Sequence, residues 1–183
     1  MRARCDVILL NGTSSSGKSS VAAGLQRQLE GVWLHVSFDR WIVDGLPPGM
    51  DFETATRRGV PLLTAFNAAL RGLLDCDLKV ILELVICNPV TLRMHLKPLT
   101  DKRVLMVGVR CPLEEAERRE RARGDRMRGL ARSQFETIHA HCDYDVEVDT
   151  SRLSVDEAAR VIIDHAAGKI SRGKGGRGAP PAS

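Results

Sequence analysis

Ile8-Leu9-Leu10-Asn11-Gly12-Thr13-Ser14-Ser15-Ser16-Gly17-Lys18-Ser19 decides how this chain folds. Its last eight residues satisfy G-x-x-x-x-G-K-[ST], the phosphate-loop pattern. A short apolar run, Val7 to Leu10, precedes the loop, and a helix-like stretch, Ser19 to Leu29, follows it. That strand–loop–helix context gives the pattern its mechanical meaning. Gly12 and Gly17 let the backbone turn so that successive N–H groups face phosphate oxygens. The helix starting near Gly17 aims its positive dipole end at the same oxygens. Lys18 can reach β and γ phosphates, and the Ser19 hydroxyl can ligate Mg²⁺. The competing reading, a chance Gly/Ser-rich turn, does not account for both glycines, the lysine and the serine standing behind a strand. The expectation is a nucleoside triphosphate held by Gly12, Thr13, Ser14, Ser15, Ser16, Gly17, Lys18, Ser19 and Ser20.

Outward from the loop, apolar β-branched runs alternate with helical patterns. Strands are expected at Asp6–Leu10, Trp33–Phe38, Lys79–Val85, Val104–Arg110 and Val146–Val148. Helices are expected at Lys18–Glu30, Pro61–Leu74, Pro89–Lys97, Leu113–Ala122, Gly129–His139 and Val155–Ala166. Val80-Ile81-Leu82 and Val104-Leu105-Met106-Val107 are apolar on both faces, as strands covered by helices on both sides must be. The alternation predicts an α/β fold, a doubly wound parallel sheet of about five strands. Ligands bind at the carboxyl ends of such strands, which puts the phosphate loop, Asp39 and Glu83 on one edge. Asp44–Gly59, with Gly45, Pro47, Pro48, Gly49 and Gly59, reads as a loop or irregular lobe beside the cleft.

The 183 residues suit one domain, expected over residues 1–167. Aromatics are only 4% of the chain, so the core should be aliphatic. No apolar run approaches the roughly 20 residues of a membrane helix, and no secretory apolar region follows the basic start. The cytoplasm is the expected compartment. The formal charge of +4 resides in residues 168–183, which carry Lys169, Arg172, Lys174 and Arg177 and no acidic residue. The remainder is balanced, which argues against a nucleic-acid partner; the Gly/Pro-rich basic tail reads as disordered. Five scattered cysteines without a C-x-x-C suggest reduced thiols. His139-Ala140-His141-Cys142 is too closely spaced for a zinc pattern and reads instead as a helix end entering the last strand.

Three groups of residues could do chemistry. Asp39 follows the second strand run, where a carboxylate can take a proton from an attacking hydroxyl; it also suits a helix N-cap before Arg40-Trp41-Ile42. Glu83 ends the third run, the place for a carboxylate in the Mg²⁺ shell, or simply a charge at the sheet rim. Arginines at 118, 119, 121, 123, 126 and 128 crowd one segment. They can form a solvated helix paired with Glu114, Glu115 and Glu117, or a lid broken at Gly124. In the lid reading Arg123 and Arg126 bring guanidinium groups to the phosphates.

The phosphate loop, the Asp after Trp33-Leu34, Val107-Gly108-Val109-Arg110-Cys111, Arg121-Ala122-Arg123-Gly124-Asp125-Arg126 and Tyr144-Asp145-Val146-Glu147-Val148-Asp149-Thr150 together resemble the chloramphenicol phosphotransferase family. Order and spacing match from about residue 6 to residue 167. The third and last of those segments are far more specific than the loop. The resemblance implies a three-layer α/β/α P-loop kinase fold with an Arg-rich lid. It implies transfer of the γ-phosphoryl of ATP or GTP, with Mg²⁺, to a hydroxyl of a small-molecule antibiotic, inactivating the drug in its producer. It assigns phosphate and Mg²⁺ to Lys18 and Ser19, proton abstraction to Asp39, and the lid to Arg119, Arg123 and Arg126. The chain departs from the family where Glu83 is followed by Leu84 rather than a second acid, and in Arg40–Pro61. The acceptor therefore stays open among chloramphenicol-like and nucleoside or sugar-containing antibiotics. A metabolic kinase of the shikimate or nucleoside type and a non-catalytic nucleotide-binding module are the other readings. Neither the nucleotide base nor the oligomeric state is legible.

Overall fold

A computed structural model describes residues 3–123 and 129–168, with the side chain of Arg123 outside that set. Five parallel strands form its centre: β1 (Val7–Asn11), β2 (Trp33–Ser37), β3 (Lys79–Leu84), β4 (Val104–Arg110) and β5 (Val146–Asp149). Their spatial order is β2-β3-β1-β4-β5, so β1 lies in the middle. The chain leaves β1 toward one side, through β2 and β3, and returns to the other side with β4. That reversal beside β1 is the switch point at which parallel α/β sheets open a crevice.

Alternation along β1 builds both sides of the core. Ile8 and Leu10 face α1 (Lys18–Gln28) and α8 (Val155–Ala166), where Val21, Ala22, Leu25, Ala159 and Ile162 are fully buried. Val7 and Leu9 face the opposite layer, where Phe66, Leu70 and Leu74 of α4 (Leu62–Asp75) close over Val80, Leu82 and Leu84. Leu92 and Leu96 of α5 (Pro89–Leu96) extend that layer. The result is the expected three-layer α/β/α arrangement. Strands buried on both faces need apolar residues at every position, and β1 has them until Asn11.

Asn11 is polar and wholly buried, yet satisfied. Its Oδ1 accepts from the Ile86 amide at 2.9 Å. Its Nδ2 donates to the Ile138 carbonyl at 2.8 Å and to the Tyr144 hydroxyl at 2.7 Å. One carboxamide thus ties the end of β1, the residue preceding the phosphate loop, to segments following β3 and preceding β5.

The stretch expected as an irregular lobe is partly helical. α2 (Phe38–Gly45) runs into it, and α3 (Phe52–Arg57) lies inside it. Side chains supply the reason: Ser37 caps α2, and Asp51 Oδ1 accepts from the Thr54 amide at 2.7 Å to cap α3. The Gly and Pro residues separate two short helices rather than filling a loop, and Gly59, at φ 76°, ends the second. The helix expected over Gly129–His139 is shorter, α7 (Leu130–Phe135), with turns reaching His141. α6 (Leu113–Arg123) precedes it.

Candidate active site

The phosphate loop joins β1 to α1. Gly12 lies so close to β4 that a Cβ there would meet the Val109 carbonyl oxygen at 2.5 Å. Ser15 and Gly17 take positive φ, 59° and 92°, which bends the loop around a hollow. The hydroxyls of Ser14, Ser15 and Ser16 are buried and find no hydrogen-bond partner among the described residues. Buried polar atoms without partners are costly, and a row of three in one loop suits a polar ligand such as a phosphate chain. The Lys18 ammonium, itself buried, folds back onto the loop and donates to the carbonyls of Gly12 at 2.8 Å and Thr13 at 2.9 Å.

Beyond Lys18, the Ser19 hydroxyl donates to Glu83 Oε1 at 3.0 Å, and His35 Nε2 lies 2.9 Å from Glu83 Oε2. A carboxylate can only accept, which places the His35 proton on Nε2. Burial pushes the Glu83 pKa up, but the His35 hydrogen bond, the Lys18 ammonium and the Ser19 hydroxyl outweigh it and hold the group below the ordinary carboxylate value. Glu83 is thus an ionised, buried carboxylate beside a serine hydroxyl. Two oxygen donors next to a phosphate site fit a small hard cation that takes its other ligands from phosphates and water. Residues Ser19 and Glu83 would hold Mg²⁺ there. Sequence reasoning did not find His35; its alternation with Val36 along β2 offered no sign that it would meet Glu83.

Ser37 pairs in register with Glu83, and Asp39 follows two residues later, in the first turn of α2. The structure therefore brings the loop, Glu83 and Asp39 to one sheet edge. Asp39 is half-buried and is not the N-cap; Ser37 takes that place. The same helix carries Trp41, whose ring meets Phe66 edge-on at 5.7 Å. Phe38 contacts Phe52, Phe66 and His95 in the same manner. Trp41 and Phe52 remain 42% and 40% exposed.

On the other side of the loop lies a cavity of about 350 Å³, lined by Ser15, Gly17, Ser20, Val21, Arg118, Arg119, Ala122, Thr150, Leu153 and Val155. Arg119 crosses its wall, donating to the Thr150 carbonyl at 2.9 Å and hydroxyl at 3.0 Å. Thr150 in turn donates to the Ser16 carbonyl at 2.7 Å. Arg119 also pairs with Glu115, as Arg118 does. The ion-paired helix reading holds for Arg118 and Arg119, and Arg119 also reaches the loop through Thr150. Arg123 ends α6, and Arg126 lies outside the described residues. Glu120, which the sequence did not single out, is buried and caps α7 through the amides of Gly129 at 2.8 Å and Ala131 at 3.0 Å. Gln134 was also missed; its amide oxygen accepts from the Ser14 amide at 2.8 Å.

A parallel sheet with a phosphate loop at its switch point defines a P-loop kinase fold, and solved kinases share it. APS kinase of Mycobacterium tuberculosis superposes with a TM-score of 0.67 at 23% identity, covering 90% of this chain and 99% of that one. A gluconokinase of Sinorhizobium meliloti 1021 gives 0.64 at 18% identity, covering 92% and 95%. The tunicamycin resistance protein of Deinococcus radiodurans gives 0.65 at 19% identity, covering 92% and 97%. The family described as chloramphenicol phosphotransferase-like protein matches residues 5–167, and the chain belongs to it. A Mycobacterium tuberculosis protein named "Putative O-phosphotransferase Rv2636" is 34% identical over 182 residues, covering 85% of this chain and 80% of its own length. Fold and family place the chain among phosphotransferases of the kinase type. No helix among the described residues is long and apolar enough to cross a membrane.

Proposed function

We propose that this protein moves the γ-phosphoryl group of a nucleoside triphosphate to an alcohol of a small-molecule antibiotic, in the cytoplasm. The observation that carries the reading is the gathering of Lys18, the Ser19–Glu83 pair and Asp39 on one sheet edge, around a loop with three unpartnered serine hydroxyls. The triphosphate lies along residues 12–20, with its base in the cavity between Ser20 and Arg119. Ser19 and Glu83 would hold Mg²⁺, which would supply charge neutralisation at the phosphates.

Asp39 accepts the proton of the acceptor hydroxyl as its oxygen forms a bond to the γ-phosphorus. The bond from that phosphorus to the bridging oxygen breaks, and the nucleoside diphosphate leaves. Lys18 offsets the charge on the transferring group, joined by Arg123 and Arg126 from the lid segment. The transfer is direct, without a phosphoenzyme.

The test is mass spectrometry of hydroxyl-bearing antibiotics and common metabolites incubated with the protein, Mg²⁺ and ATP or GTP. A phosphate-sized mass gain on an antibiotic supports the reading. Gain only on a sugar or nucleoside metabolite replaces the acceptor, and gain on none with either nucleotide overturns the activity.

A further inference from the structure

Gln134 and Lys18 grip one peptide unit from opposite sides. The Thr13 carbonyl oxygen accepts from Lys18 Nζ at 2.9 Å, and the next atom of that unit, the Ser14 amide, donates to Gln134 Oε1 at 2.8 Å. In a trans peptide the C=O and N–H point in opposite directions, so each contact fixes the orientation the other needs. An amide N–H can only donate, which settles that the Gln134 atom facing Ser14 is its oxygen. The Thr13 hydroxyl adds a second anchor on the same side, 3.2 Å from Gln134 Oε1 and 3.1 Å from the Ala131 carbonyl. Gln134 itself sits on α7, whose start Glu120 holds to α6.

We propose that Gln134 is a positioning residue that acts on Lys18 through the Thr13–Ser14 peptide. This rests on the phosphate-loop reading given above. With Gln134 in place, the peptide keeps its carbonyl toward the ammonium, and Lys18 waits at the end of the loop that receives the terminal phosphate. Without it the N–H side of the unit is unheld, and only Lys18 and the Ser16 amide, which donates to the Thr13 carbonyl at 3.2 Å, oppose its rotation. The N–H then turns into the hollow, the carbonyl turns away, and Lys18 loses a resting partner. The effect falls on the terminal phosphate because that is the group Lys18 meets. The remaining phosphates lie against Ser15 to Ser19, which Gln134 does not touch.

The experiment compares Gln134→Met, which keeps the length but cannot accept strongly, with Gln134→Glu, which can still accept from Ser14. In the nucleotide-free protein, amide hydrogen exchange at Ser14 should quicken about tenfold in Gln134→Met and return toward the wild-type rate in Gln134→Glu. Calorimetry should show triphosphate binding weakened about tenfold in Gln134→Met while diphosphate binding changes less than about twofold. Unchanged Ser14 exchange overturns the proposal. So does an equal loss for both nucleotides with a matching fall in melting temperature, which would mark a purely structural residue. If the wild-type chain binds neither nucleotide, the functional reading fails, and the exchange rates still decide whether Gln134 holds the peptide.

Discussion

The Glu83 carboxylate and the Ser19 hydroxyl meet at 3.0 Å, joining the end of β3 to the first turn of α1. The same carboxylate holds His35, so three strands and helices converge on one ionised group. Glu83→Gln removes the charge but keeps the shape. The Mg²⁺ concentration for half-maximal transfer should rise about tenfold to a hundredfold, as for lost partners at metal sites generally. A Mg²⁺ titration of turnover checks this; an unshifted midpoint takes Glu83 out of the metal's surroundings.

Asp39→Asn should lower kcat about a hundredfold to ten-thousandfold, the range of general-base catalysis. Nucleotide binding should barely move, because Asp39 belongs to α2 and not to the phosphate loop. Turnover and calorimetric affinity measured on the same preparation separate the two effects. Retained turnover would show that another group takes the proton.

Gly12→Ala should destabilise the fold by about 1–3 kcal/mol, the usual cost of overpacking. The new Cβ would sit 2.5 Å from the Val109 carbonyl oxygen, backbone that cannot rotate away. Gly49→Ala is a useful contrast: its Cβ would meet nothing within 4 Å, although its φ of 81° adds backbone strain. Urea unfolding of both variants gives the comparison, and equal stability for Gly12→Ala and wild type would contradict the close approach.

Burial lowers the His95 pKa to about 4. The ring is packed against Phe38 and Phe66, with Nδ1 3.2 Å from Asn67 Oδ1. Between about 4 and the ordinary histidine value of about 6.5, the unfolded chain binds a proton that the folded chain refuses. Stability is therefore full above that window and falls as pH drops through it, by up to about 1.4 kcal/mol per pH unit. His139, also lowered to about 4 by burial, adds a similar slope. His95→Gln should flatten the dependence by close to one proton, read from unfolding free energies across that range. A slope that does not change would mean the ring is solvated.

What the sequence made legible follows from which forces act locally. The phosphate loop, the five strands and most helices rest on periodicity and glycine placement, which are written within ten or so neighbouring residues. α3 was hidden because its cap, Asp51, stands among glycines and prolines that argue for a loop, and the start of α2 suited Asp39 as well as Ser37, the cap it uses. Asp39 and Glu83 could be placed on one sheet edge because strand ends are predictable. His35, Glu120 and Gln134 were not. Gln134 meets Ser14 across 120 positions, and no local pattern announces a single carboxamide that will face a backbone amide. The arginine segment gave two readings because ion pairing within a helix and reach beyond it use the same side chain, as Arg119 does with Glu115 and Thr150.

The packing of α8 on α1 bears on how the molecule is made. Gly24 leaves room for this contact, since a Cβ there would strike Val155 Cγ1 at 2.8 Å, and Arg4 donates its amide to the Ala166 carbonyl. α1 thus finds its cover only after residue 166 has been synthesised. The face formed by α4 and α5 can close earlier, once β3 joins β1. The other side of the nascent sheet has only α1 against it through most of translation, a period in which the rest of its aliphatic surface is open to holdase chaperones or to neighbouring chains.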